Sequence, residues 1–166
     1  KYCVIKNAGA RDYPALLVHG YYSGTSPRFE HCTIQDNQGN GILVSGASTR
    51  PVFVNCTITR NLGWGIHTDH NAQANFGNTS NAVTTDDGGN SFVGNFLGCF
   101  YNKASTTQYA QNCWWGATTS STIGAKIVDK NDFPSLGSVV FSPFRTTAPT
   151  AIPLQLASGP SELTTV

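Results

Sequence analysis

"EHCTIQDNQGNGILVSGASTRPVFVNCTITRNLGWGIHTDH", residues 30–70, carries one short pattern twice. Cys32-Thr33-Ile34 leads to Asn37, Gly39 and Gly41-Ile42; Cys56-Thr57-Ile58 leads to Asn61, Gly63 and Gly65-Ile66. Every matched pair is 24 residues apart. Outward from this core the pattern recurs more loosely. Upstream lie Cys3-Val4-Ile5, Asn7, Gly9 and Ala15-Leu16-Leu17-Val18. Downstream lie Asn90-Ser91-Phe92, Asn95 and Gly98-Cys99-Phe100, and a last unit begins at Gln111-Asn112-Cys113-Trp114-Trp115-Gly116. With anchors at positions 3, 32, 56, 90 and 113, a unit of about two dozen residues carries insertions of varying length.

A period in the twenties marks stacked units, none of which buries its apolar face alone. Leucine-rich repeats need Leu at fixed positions and a helical segment, and both are missing. Short β-branched runs bounded by Gly, Asn or Pro read as strands, and helical periodicity is missing nearly everywhere. In Cys56-Thr57-Ile58-Thr59 the apolar pair can point inward while both Thr face solvent. The chain therefore reads as all-β, a parallel β-helix of about five coils. Equivalent residues then lie one strand spacing apart, about 4.8 Å. Asn37, Asn61 and Asn95 are expected to form a hydrogen-bonded ladder at one corner. Gly39 and Gly63 are expected to supply positive φ just after it. Asn40 falls outside the pattern, so its loss is expected to cost little. Cys3, Cys32 and Cys56 read as a small inward ladder packed as apolar groups. Five Cys is an odd number, so at least one has no partner within the chain. No C-x-x-C occurs, which argues against zinc, and Cys32 and Cys56 are expected to stay reduced.

Composition narrows the partners. The chain has 166 residues, 11% of them charged, and a net charge of +1. Polar but uncharged residues, abundant Asn, Thr, Ser and Gly, argue against disorder. No basic cluster appears, so no nucleic-acid partner is expected. No apolar run approaches about 18 residues, so no membrane span is expected. The chain begins at Lys1 and contains no Met, which reads as a processed product and fits a secreted, extracellular or cell-surface location. Residues 1–145 read as the coils with a C-terminal cap, and 146–166 as an extended tail or linker.

These residues resemble the right-handed parallel β-helix repeat of pectate-lyase-like secreted proteins. "CTIxxNxGxGI" is the most specific piece. "NCWWG" at 112–116 and "VVFSPF" at 139–144 resemble the last coil and closing strand of many bacterial members. The resemblance implies export and frequent carbohydrate contact, and it assigns no activity, since the fold hosts lyases, hydrolases, adhesins and inert stalks. Polygalacturonase-like hydrolases carry Asn-Thr-Asp, Asp-Asp, Gly-His-Gly and Arg-Ile-Lys motifs. Here "HTDH" at 67–70 lacks the leading Asn, and the last two motifs are absent.

The best local constellation is His67, Asp69, His70, Asp86 and Asp87. His67 and Asp69 share one face of a strand, and His70 to Asp86-Asp87 spans the largest insertion. Two carboxylates near two His could serve acid–base chemistry or hold a divalent ion such as calcium through oxygens. The plainer reading is a polar loop, because Asp-Asp-Gly-Gly is turn chemistry. No cofactor is otherwise expected. Tyr21, Tyr22 and Trp64 are candidates for stacking on sugar rings, with Phe100, Tyr101 and Tyr109 further along, and one of Trp114 and Trp115 should plug the core. The leading expectation is a non-catalytic extracellular module with a structural, adhesive or filament-forming role. It meets copies of itself or upstream coils at its N-terminal end and contacts polysaccharide. The alternative is a carbohydrate-active enzyme, or a fragment of one.

Overall fold

A computed structural model describes residues 2–10, 13–20, 24 and 26–150. The first coil holds β1 (Cys3–Lys6) and β2 (Leu16–His19). The second holds β3 (Arg28–Glu30), β4 (Cys32–Gln35) and β5 (Ile42–Ser45), and the third holds β6 (Val52–Val54), β7 (Thr57–Thr59) and β8 (Trp64–Asp69). A 3-10 turn (Thr84–Asp86) precedes β9 (Ser91–Val93) and β10 (Gly98–Asn102) of the fourth. The fifth holds β11 (Gln108–Tyr109), helix α1 (Ser120–Gly124) and β12 (Ile127–Val128), and β13 (Val139–Val140) is the last strand among the described residues.

Every strand pairing is parallel, and the strands stack as a β-solenoid of about five turns. The first sheet runs β1-β4-β7-β9 and the second β2-β5-β8-β10-β12. The third joins β3-β6 to β11-β13 through Asn75, which bridges Val52 and Tyr109. The repeat anchors lie in the register observed: Cys3 faces Cys32, Thr33 faces Thr57, Thr57 faces Ser91, and Ser91 faces Trp114; in the first coil Asn7 stands level with Asp36 and Ala8 takes the place level with Asn37.

Alternation along each strand sends one residue in two to the core. Ile5, Ile34, Ile58 and Phe92 form one inward column, and Leu16, Ile42, Ile66, Phe100 and Ile127 a second. In the third sheet Phe29, Phe53 and Phe76 stack with centroids 4.7 and 4.6 Å apart. Phe53, Phe76, Phe92 and Phe100 are fully buried, each contributing about 1.5–3 kcal/mol. At the far end Trp115 is the buried plug, edge-on to Phe92 and Phe141. The helix α1, which the sequence pattern did not indicate, is capped by Thr119 and sends Ile123 into the core.

The asparagine column lies between the first and second sheets. Asn37 Nδ2 donates to Asn61 Oδ1 at 2.7 Å, and Asn61 Nδ2 donates to Asn95 Oδ1 at 2.8 Å. The same oxygens accept the backbone N–H of Asn37 and Asn61, and Asn37 Oδ1 accepts that of Ala8. Each side chain thus satisfies a bend in the neighbouring coil.

Two expectations at this corner need correction. Gly39 and Gly63 do not have positive φ. The left-handed residues are those just before the ladder, Asn7, Asp36, Arg60 and Gly94, with φ of 54, 56, 52 and 73°. The two glycines are required for space: a Cβ on Gly63 would lie 2.4 Å from Asn40 Oδ1. Asn40 is also not idle, because its Oδ1 accepts the Trp64 N–H at 2.8 Å. A second left-handed column, His31, Asn55, Gly89 and Asn112, turns the chain into the first sheet. The cysteine column inside that corner reads Cys3, Cys32, Cys56, Asn90 and Cys113. No disulfide joins the five Cys; Cys3 is exposed, the other four buried. Asn90 is fully buried and accepts the Cys56 N–H while donating to Phe53 O and Phe76 O.

Candidate functional site

The solenoid brings three of the five sequence candidates together and separates two. Strand β8 presents His67 and Asp69 on the outer face of the second sheet, with Leu43 and Tyr101 flanking His67 and Ser45 beside Asp69. His70 follows at the corner with φ of 45°, and its Nδ1 lies 2.9 Å from Asp69 Oδ1. Burial pushes the Asp69 carboxyl up, but bonds from Ser45 and His70 and the nearby imidazoles outweigh it and hold the group below its usual value. Burial lowers the His67 value more than the Asp69 charge raises it, which disfavours its charged form.

Ser45, His70 and Asp69 do not form a nucleophile relay. Ser45 Oγ lies 3.3 Å from His70 Nδ1, the same nitrogen that faces Asp69. A relay needs the base to use its two nitrogens for its two partners, and Ser45 is buried.

Asp86 and Asp87 lie elsewhere. The insertion after His70 crosses the third sheet, and its 3-10 turn packs on β6. Asp86 is buried there, with Oδ2 accepting from Asn75 Nδ2 at 2.6 Å and Asn81 Nδ2 at 3.2 Å. Asp87 contributes its backbone carbonyl to Asn112 Nδ2. Among the described residues no group of three or more His, Cys, Asp or Glu is arranged to hold a metal ion.

The aromatic candidates divide likewise. Tyr21 and Tyr22 lie outside the described residues. Trp64 is half-buried on the outer face, its ring centroid 5.5 Å from Tyr101, and Tyr101 stacks on His67 at 4.9 Å. Trp64 lies flat because Gly98 is beneath it: a Cβ there would meet Trp64 Cζ3 at 2.3 Å. At the adjoining corner Leu62, Phe96 and Leu97 are 54%, 78% and 54% exposed. Phe100 points into the core and Tyr109 belongs to the third sheet. Tyr101 was legible only as one more aromatic; its pairing with His67 follows from the 34-residue register of the fourth coil. The exposed corner residues carried no repeat signal, because the pattern holds Asn61 and Asn95 and leaves the next position free.

Residues 3–114, most of the coiled region, match the family described as a right handed beta helix region. The chain belongs to that family. No curated protein and no solved structure matches this β-helix significantly. Among its described residues no helix is long and apolar enough to cross a membrane. A separate cleft of about 290 Å³ opens at the C-terminal end of the β-helix, lined by Ile127, Asp129, Asp132 and Phe141 among others. The Asp129 carboxylate is occupied there by the N–H groups of Asn131 and Val139.

Proposed function

We propose that this β-helix is an exported, non-catalytic module whose second sheet presents a carbohydrate-contacting face, in an adhesive or structural role. The observation that carries the reading is the outward patch of Trp64, His67 and Tyr101. Flat rings with polar tips suit the C–H faces of sugars. Asn40, Asp69 and Lys103 border the patch with groups that can bond hydroxyls. Against catalysis stands the separation of the carboxylates, since a general acid and base must reach one substrate together.

Binding of soluble neutral and acidic polysaccharides, read by affinity electrophoresis and calorimetry, tests this. Trp64→Ala and Tyr101→Ala should each weaken binding about tenfold, consistent with the loss of one stacking contact of about 1.4 kcal/mol. Asp86→Asn should leave it unchanged. Retained binding in both aromatic variants sinks the reading. Chain cleavage that disappears in Asp69→Asn or Asp86→Asn places the protein among polysaccharide-active enzymes instead.

Self-association, or contact with further coils, belongs to the same reading and is seated on the first coil. Val4 and Leu17 are 38% and 56% exposed there. At the other end Ile123, Phe141 and Phe144 pack on the last coil. A contact between two first coils would close as a dimer, whereas a head-to-tail contact would propagate. Concentration-dependent light scattering distinguishes a pair from a filament.

A further inference from the structure

We propose that Cys3 and Cys32 are an oxidisable pair, closing to a disulfide that ties the first coil to the second when the chain meets a low-molecular-weight disulfide. Strands β1 and β4 pair in parallel with Cys3 directly opposite Cys32. Both side chains lie on the face that carries Ile5 and Ile34. Adjacent strands are about 4.8 Å apart, inside the Cα separation of about 4.4–6.8 Å that disulfides span. The column continues to Cys56 and is then interrupted by Asn90.

Accessibility decides where the reaction begins and which pair it joins. Cys3 is the one exposed thiol of the five. Cys56 is 1% exposed, its thiol donates toward Val54 O and Phe29 O, and burial pushes it up to about 12. A small disulfide must reach the sulfur that attacks it, and Cys3 is the exposed thiol, so Cys3 reacts first. Its sulfur attacks one sulfur of the small disulfide, expels one small thiol and forms a mixed disulfide. Cys32 then gives up its proton, attacks the Cys3 sulfur and expels the second small thiol. Two protein thiols are oxidised, and one small disulfide is reduced to two small thiols. The bridge encloses the whole first coil and the insertion between β2 and β3, and it persists in an oxidising compartment.

The test uses the full chain, prepared reduced and then incubated with oxidised glutathione before denaturing thiol titration and peptide mapping. Thiols titrated after denaturation should fall from five to three, the mapped bridge should join Cys3 to Cys32, and proteolysis of the first coil should slow. Cys3→Ser should keep all its remaining thiols, and Cys56→Ser should still form the bridge. Five persisting thiols, a glutathione adduct that stays on Cys3, or a bridge mapped to Cys32 and Cys56 would each overturn the proposal.

Discussion

Asn61→Ala is the sharpest test of how the coils are held together. Asn61 is 1% exposed and Asn37 fully buried. Truncation removes the Oδ1 that accepts Asn37 Nδ2 at 2.7 Å and Asn37 N–H at 3.3 Å. It also removes the Nδ2 that donates to Asn95 Oδ1 at 2.8 Å and Ile34 O at 3.3 Å. Asn95 is half-buried, so water can replace its partner. The two Asn37 donors cannot be rehydrated without opening the corner. Each buried orphan costs about 1–3 kcal/mol, so the expected loss is about 3 kcal/mol. With a urea slope of about 2 kcal/mol/M, the midpoint falls by about 1.5 M. Equilibrium unfolding in urea, followed by Trp fluorescence and far-UV dichroism, reads it. Gln38→Ala is the control, since Gln38 is exposed on the same corner and such changes stay within about 0.5 kcal/mol. If Asn61→Ala and Gln38→Ala shift the midpoint equally, the ladder does not hold the coils and the reasoning is refuted.

Gly63→Ala should cost more than Gly94→Ala although only Gly94 has positive φ. The first drives a Cβ to 2.4 Å from Asn40 Oδ1, whereas the second meets nothing closer than 3.8 Å; calorimetric melting of both variants ranks space against dihedral strain. In the reduced native protein a thiol reagent at pH 8 should label Cys3 alone, since burial raises Cys32 and holds Cys56 and Cys113 at about 12 and Cys99 at about 11; rapid labelling of Cys99 or Cys113 would show that the stack opens. Acid should destabilise the protein in two steps. His67 is lowered from 6.5, so its stabilisation is complete above that pH and is lost as pH falls toward the folded value. Asp69 is lowered from 3.8, so its contribution is lost at still lower pH. His67→Gln should flatten the upper step only, which pH-dependent unfolding midpoints will show.

Much of the architecture was legible because a solenoid repeats a local rule. Cys32-Thr33-Ile34 and Cys56-Thr57-Ile58 state which residues point inward, and their spacing states the register. Even the weak unit at Asn90 aligned correctly, because Phe92 repeats the apolar position of Ile58. The corner conformation was misassigned because composition favours Gly for positive φ, whereas here Asp36 and Arg60 take it and pair with each other across the coils at 2.7 Å. Gly63 answers a steric demand from Asn40, a residue one coil away.

The sequence by itself determined the repeat, the inward columns and the asparagine ladder positions, because these depend on periodicity along the chain. Tertiary structure alone decided which side of the solenoid each insertion covers. His67 and Asp86 are joined by one polar loop in sequence, yet one faces out from the second sheet and the other is buried beside the third. His67 and Tyr101, far apart in sequence, share a surface because adjacent coils bring register-equivalent residues within one strand spacing, and Trp64 lies over its own partner Gly98 beside them. The physical reason is that insertions carry no periodic constraint. Their course is set by the corner they leave from and the face they find to cover, and both exist only once the coils have stacked.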